Sequence, residues 1–391
     1  MGYSKGESMD KVRIGLVGCG GMGQKHIEYA GQLTNCEVTA VSDVHCDTAK
    51  AVGEKHGVKY FTDYNELINS KLVDAVIVAT PHYFHPEVAI AALKKGLHVL
   101  CEKPIAVNVS AADKMIKAAK KSKKVFGVMY QERALAAIRK AREIVENGEI
   151  GEIRRTLMIE PNYRSQAYYD SGSWRGTWKG EGGGVLMNQA PHGIDLFMIL
   201  GGLPCKVQAR TRTKLHKIEV EDEADAQLYY PNGAWGYYYT TTNEMAGEKY
   251  KTARIEVCGD KALMIYSGGE LRLLKFKPSI TEHNKTNTQV WNAPEVEEVK
   301  IELQPAEKGH KEIIRNFCAT ILGQEKLIAP GEQGLMSVEF IDALILSGKT
   351  GKPVEIPVKR SKYDKMLEKL KASGIVKVVK NAVRQTDTNI K

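Results

Sequence analysis

The chain has 391 residues, of which 43% are hydrophobic and 26% charged, with a formal net charge of +9. That length exceeds what one hydrophobic core organises, so two domains are expected. No apolar run approaches the ~20 residues of a membrane helix, and Met1 to Lys11 holds no apolar stretch that could act as a secretion signal.

In chain order, Val12 to Val17 is a short apolar run ending at Gly18, followed by a stretch of helical character from Gly23 to Leu33. Val38 to Val41 ends at Ser42-Asp43, and Ala75 to Ala79 ends at Thr80-Pro81; each is followed by a further helical stretch. This βαβαβ pattern implies a parallel sheet covered on both faces. A helix over His85 to Lys95 closes at Gly96, and Val99 to Cys101 is the next strand. Ser110-Ala111-Ala112-Asp113 resembles a capping box and opens a helix through Lys121. Its lysines, Lys114, Lys117, Lys120 and Lys121, with Lys123 and Lys124 beyond, suit a solvated helix face better than a nucleic-acid patch. Val125 to Tyr130 completes a first domain over residues 1–130.

Residues 131–391 form a second domain. A helix over Arg133 to Glu146 leads into runs of period two: Arg154 to Glu160, Lys206 to Thr213, Ala224 to Tyr230, Trp235 to Thr241, Arg254 to Cys258 and Ala262 to Ser267. They predict a large open, mainly antiparallel sheet with one face packed on helices. Its other face requires a cover, for which a second subunit is the economical choice. The fold class is α/β: a doubly wound Rossmann sheet followed by an α+β domain. Lys359 to Lys391 is lysine-rich and reads either as a helix and tail on a neighbouring subunit or as a loosely ordered extension. The seven cysteines, Cys19, Cys36, Cys46, Cys101, Cys205, Cys258 and Cys318, lie far apart without a Cys-x-x-Cys pair. Buried thiols in a reducing, cytoplasmic compartment follow as the expectation.

Gly18-Cys19-Gly20-Gly21-Met22-Gly23 sits between a strand and a helix, the context that makes a Gly-x-Gly-x-x-Gly string a dinucleotide fingerprint. Gly18 permits the turn, Gly20 admits the pyrophosphate and Gly23 lets helix and strand pack, while the helix N-terminus faces the anion. Asp43 can accept hydrogen bonds from the adenosine ribose and repel a 2′-phosphate, favouring NAD over NADP; alternatively it caps the helix beginning near Asp47. Strand ends of a doubly wound sheet point to the ligand crevice, so Thr80-Pro81 and Glu102-Lys103-Pro104 should border the nicotinamide. An ammonium at Lys103 could stabilise negative charge developing on a substrate oxygen.

Gly182 to Asp195 supplies a third string. If it is helical, Asn188 and His192 lie one turn apart, and an imidazole of unperturbed pKa ~6.5 is suited to take a hydroxyl proton. A structural histidine bonded to a carbonyl is the competing reading. Asn162 to Trp178, with Tyr163, Trp174 and Arg175, has the aromatic and polar mixture of a site for a polyhydroxylated ligand, or of a dimer contact. His82 and His85 are too few for a metal site, and His85 either starts a helix or lies near the cofactor.

With these strings in order, the chain resembles the glucose-fructose oxidoreductase, inositol dehydrogenase and MocA family (Gfo/Idh/MocA) over about residues 11–360. The resemblance rests on the glycine fingerprint, Thr80-Pro81 with His85, Ala91 to Pro104, the run from Glu146, and Gly182 to Asp195. It implies an N-terminal Rossmann domain, a C-terminal sheet that mediates homo-oligomers (dimer, tetramer or hexamer), and oxidation or reduction of a ring hydroxyl of a sugar, glycoside or cyclitol. The family's catalytic lysine falls on Lys103 and its histidine on His192. Many members carry aspartate where this chain has Asn188, which can hold a hydroxyl but not take its proton, and so the base role falls to His192. Some relatives oxidise C3 of glucosides; others are NAD-using glycosidases or non-catalytic dinucleotide-binding sensors. NAD as cofactor, with Cys19, Gly21, Met22, Thr80, Pro81, His85 and Glu102 around it, completes the expectation.

Overall fold

A computed structural model describes residues 10–245, 252–304, 309–374 and 377. The start of the chain and the lysine-rich end after residue 377 lie outside the described residues.

Six strands, β1 (Val12–Val17), β2 (Cys36–Ser42), β3 (Lys59–Phe61), β4 (Ala75–Val78), β5 (His98–Cys101) and β6 (Phe126–Val128), form a sheet in the order β3-β2-β1-β4-β5-β6. All pairings are parallel. Burial on both faces explains their composition: every residue of β4, Ala-Val-Ile-Val, is buried. The strand order reverses between β1 and β4, and the crevice at their carboxyl ends is where a doubly wound sheet holds its ligand.

Nine further strands make the second sheet: β7 (Ile153–Pro161), β8 (Lys206–Arg212), β9 (Glu223–Tyr229), β10 (Trp235–Thr241), β11 (Arg254–Gly259), β12 (Ala262–Ser267), β13 (Glu270–Lys277), β14 (Glu295–Val299) and β15 (Val354–Glu355). Their order is β14-β13-β12-β11-β7-β10-β9-β8-β15. Pairing is antiparallel except between β7 and β10, which run parallel because the chain leaves β7 through the site segments and returns by way of β8 and β9. The period of two is realised in burial: Thr156, Met158, Tyr238 and Thr240 face inward, while Arg155, Leu157, Tyr237 and Trp235 alternate with them. On the inner face Tyr238 packs against Phe197 of the helix Pro191–Gly201 and Phe340 of the helix Gly331–Thr350.

Three local expectations are corrected. The helix Val109–Ser122 is capped by Asn108, whose side chain accepts from the Ala111 N–H, and not by Ser110. Ser110 instead bonds Asp364, and Asp113 pairs with Arg360. Those two partners belong to the helix Arg360–Ser373, which docks on its own chain and buries Tyr363 and Leu367, so residues 360–373 are not a loose extension. The helix after the glycine loop starts at Gly21 and ends at Ala30. Beyond β14, the helix Gly309–Ile321 returns to the first sheet, where His310 stacks on Tyr29.

Candidate active site

The glycine loop has room on one side only. Gly18 has φ +99°, and a Cβ there would lie 2.5 Å from the Ala79 carbonyl oxygen. A Cβ on Gly23 would lie 1.9 Å from the Gly18 oxygen, whereas one on Gly20 would meet nothing within 4 Å. Gly20 caps the helix Gly21–Ala30 without a side-chain bond, leaving first-turn N–H groups free for an anion. Asp43 accepts from the Cys19 N–H at 2.9 Å and the His45 N–H at 2.9 Å, which ties β2 to the loop. It does not cap the following helix: Cys46–His56 has His45 at that position with no side-chain cap bond. Gly21 is exposed, Met22 half-buried and Cys19 buried, its thiol pushed up to about 12 by burial and then by the Asp43 charge. The open backbone at Gly20 and the carboxylate of Asp43 fit a pyrophosphate and a ribose.

The ends of β4 and β5 are fastened together by His85. Its Nδ1 lies 2.9 Å from the Pro104 carbonyl and its Nε2 2.8 Å from that of Thr80, and the residue is fully buried. His85 starts the helix His85–Lys94, one of its two expected roles, and from there its ring lies between the two strand ends and positions them. Glu102 is likewise committed to protein: Oε1 meets His26 Nε2 at 2.8 Å and Oε2 accepts from the Lys103 N–H at 3.0 Å. Burial opposes its ionisation, but the His26 bond and charge hold its carboxyl far below the ordinary range.

Lys103 reaches across from the first sheet to the second domain, where its Nζ donates to the Asn188 carbonyl at 2.9 Å. Burial lowers the pKa of this ammonium, against the pull of Glu102 and Glu181. Asn188 and His192 both arrive here, but not on one helical face. They belong to two short helices, Val185–Asn188 and Pro191–Gly201, because Pro191 starts a new helix after Gln189-Ala190. His192 Nε2 lies 3.1 Å from the Gln131 side-chain nitrogen, and its Nδ1 is buried without a partner among the described residues. Burial, followed by the Lys103 charge, pushes its pKa far below 6.5, so the imidazole is neutral.

The wall around Asn188 is built on Tyr168, whose hydroxyl meets Arg175 Nη1 at 2.5 Å, Gln189 Nε2 at 3.0 Å and Asn188 Nδ2 at 3.2 Å. The Arg175 guanidinium lies over Tyr168 at 4.3 Å and Trp174 at 4.4 Å, and Trp174 meets His82 edge-on. Thus Trp174 and Arg175 join the cluster, while the Tyr163 ring, on a residue 43% exposed, makes no ring contact with it among the described residues. Sequence reasoning missed Gln131 and Glu181. Gln131 lies three residues past β6, the last strand of the doubly wound sheet, on the same side as the ends of β4 and β5. Glu181 immediately precedes the glycine triplet, and its Oε1 accepts from Asn188 Nδ2.

Comparison with known proteins is consistent with this geometry. Residues 12–130 match the oxidoreductase family, NAD-binding Rossmann fold model, and residues 138–265 match the GFO/IDH/MocA C-terminal domain model. The chain is 37% identical over 258 residues to myo-inositol 2-dehydrogenase of Thermotoga maritima, covering 64% of this chain and 73% of that protein. It is 26% identical to D-glucoside 3-dehydrogenase of Escherichia coli, over 88% of this chain and 97% of the relative. Among solved structures, the WlbA dehydrogenase of Bordetella pertussis, in complex with NADH and UDP-GlcNAcA, superposes with a TM-score of 0.74 at 26% identity, covering 89% of this chain and 100% of that one. The chain therefore belongs to the Gfo/Idh/MocA oxidoreductase family. Within it, the protein is an NAD-binding oxidoreductase of the sugar or cyclitol dehydrogenase type. Among the described residues, no helix is long and apolar enough to cross a membrane.

Proposed function

We propose that the protein oxidises a ring hydroxyl of a sugar, glycoside or cyclitol to the ketone with NAD, and that C3 of a glucoside is the first position to test. The observation that carries this reading is the meeting of Lys103 Nζ with Asn188, beside a neutral His192, at the carboxyl end of β5. The names of the myo-inositol and D-glucoside dehydrogenases support a polyhydroxylated ring as substrate. Residues Gly18 to Gly23, Asp43, Thr80-Pro81 and Lys103 would hold the dinucleotide, which supplies the hydride acceptor when bound. Lys103 donates to the substrate oxygen and stabilises its developing negative charge. Neutral His192 accepts the hydroxyl proton. Trp174 covers a C–H face of the ring while Arg175 and Asn188 meet its hydroxyls. The carboxylate of Asp43 disfavours a 2′-phosphate, and so NADP.

Incubation with NAD and a panel of hexoses, glycosides and inositols should give net NADH with at least one of them. Net accumulation separates a dehydrogenase from a glycosidase that restores its cofactor each cycle, and from a sensor that never reduces it. His192→Ala should lower turnover by ~10²–10⁴-fold, the scale of positioned acid–base catalysis. A full-rate variant excludes the role. We further propose that a second copy of the chain covers the open sheet face. A depression of about 520 Å³ there is lined by Arg155, Leu157, Tyr229, Trp235 and Tyr237, and Trp235 is 57% exposed. Trp235→Glu should convert an oligomer to monomer in sedimentation velocity, and wild-type monomers at micromolar concentration would overturn the assignment.

A further inference from the structure

Asn188 cannot change charge, and His192 is held neutral. A further ionisable group, Glu181, lies directly against the Asn188 amide. Glu181 is 1% exposed, and both its oxygens face backbone or side-chain donors. Oε2 accepts from the Gly176 N–H at 2.6 Å, Oε1 accepts from Asn188 Nδ2, and Arg175 Nη1 stands 3.9 Å away. Its main-chain carbonyl is 3.2 Å from His82 Nδ1, so the residue also sits on the joint between the two domains. Among the described residues the Asn188 Oδ1 has no partner: with Nδ2 engaged by Glu181 and Tyr168, the amide oxygen is left for another ligand.

We propose that Glu181 is a positioning carboxylate of the reaction site: when ionised it holds the Asn188 amide by a charge-assisted bond and favours the Lys103 ammonium, and when protonated it loses that charge and weakens both. The inference rests on the dehydrogenase reading. The charged and titratable groups facing Glu181 fall on both sides of the balance. Burial opposes ionisation and Glu221 adds to that opposition, while Arg175, Lys103 and the Gly176 and Asn188 donors favour it. The phenols of Tyr168 and Tyr169 stay neutral, their pKa values raised by burial, and His82 stays neutral with its pKa pushed down to about 3, again by burial first. The sum leaves the carboxyl at about 7, within the working range of a dehydrogenase. Because the active form is the ionised one, activity should be present above that value and lost as pH falls through it.

The test is the pH profile of kcat/KM for NAD-dependent hydroxyl oxidation, which reports ionisations of the free enzyme. Wild type should show an acid limb near neutrality. Glu181→Gln keeps an oxygen for Asn188 but removes the charge, and should abolish that limb while lowering the rate at pH 8 by about ten- to a hundredfold, the worth of one charge-assisted bond. Arg175→Met should move the limb to higher pH, because a cation that favours ionisation is gone. A limb retained in Glu181→Gln, or unmoved in Arg175→Met, assigns the titration elsewhere and overturns the proposal. Infrared difference spectra of the NAD-bound protein between pH 8 and pH 6 give a readout free of turnover. A carboxylic-acid band should appear in wild type and be missing from Glu181→Gln. If that band is absent from wild type, the Glu181 proposal falls; if it is present but no hydroxyl substrate reduces NAD, the dehydrogenase reading falls instead. Should Glu181→Gln not fold, the wild-type band and the Arg175→Met shift decide.

Discussion

Two glycine clusters frame the candidate site, and they serve opposite ends. In Gly18 to Gly23, the middle glycine opens outward: a side chain on Gly20 would meet no protein atom within 4 Å. In Gly182 to Gly184, every position faces protein. A Cβ on Gly182 would lie 2.8 Å from Val107, on Gly183 2.9 Å from Met187, and on Gly184 1.8 Å from the Glu221 carbonyl oxygen. Gly20 clears space for a ligand, whereas Gly184 removes a side chain so that two backbones can touch. The same residue type thus marks a vacancy at Gly20 and a joint at Gly184, as it does at Gly18 and Gly23, and only the surroundings tell them apart.

Gly184→Ala tests the joint and should have the largest effect. The obstructing atoms are Glu221 backbone, which also accepts from the Val185 N–H at 2.8 Å, while the Glu221 side chain accepts from the Gly184 N–H at 2.8 Å. Neither can move without breaking the segment that carries Asn188. A loss of about 3 kcal/mol, the upper range for overpacking, corresponds to roughly 6–12 °C in Tm for a large domain. An unchanged melting curve would mean that the two backbones are not in contact. Gly20→Ala tests the vacancy and comes next. Gly20 has φ −68° and ψ −171°, which alanine adopts without strain, so the Tm should hold. The new methyl would occupy the approach of the pyrophosphate to the first-turn N–H groups. Losing one charge-assisted bond, worth about 1.5–3 kcal/mol, predicts NADH binding weakened about ten- to a hundredfold by fluorescence titration. Undiminished affinity would place the dinucleotide elsewhere.

The first domain was legible because its signals are local. Five of the six parallel strands are short, largely apolar runs that end in turns, and Gly18, Asp43 and Lys103 follow at strand ends where topology alone points them to the crevice; β3, Lys-Tyr-Phe at the sheet edge and not buried, has no such run and was missed. The second domain was legible only in its outward alternation. The helix Gly331–Thr350 is buried along most of its length, so its sequence carries little amphipathic contrast to reveal it. The parallel pairing of β7 with β10 leaves no mark on either strand, since it is decided by what lies between them. At the site, Asn188 and His192 stood out as types able to do chemistry. Glu181 did not, because a glutamate beside glycines reads as a solvated turn until three-dimensional packing buries it at 1% exposure. Tyr163 shows the converse: its aromatic ring attracts attention in the sequence, but the rings that stack with Arg175 beside Asn188 are those of Tyr168 and Trp174.

The smallest effect is expected at a glycine that neither clears space nor makes a joint. Gly57 terminates the helix Cys46–His56 in the left-handed region, φ +66°; a Cβ added there would meet no atom within 4 Å, and the Gly57 N–H bonds the Glu54 carbonyl. Here glycine is required by backbone conformation alone. Alanine at this position adopts the same φ at a penalty of about 1–2 kcal/mol. Gly57→Ala should therefore lower the Tm by a few degrees and leave NADH affinity and turnover unchanged. The helix it ends is the one that follows Asp43, so an altered NADH affinity in Gly57→Ala would show that the cap also sets the position of that carboxylate. The comparison would then need a third kind of glycine, one that acts on the ligand through the helix it terminates.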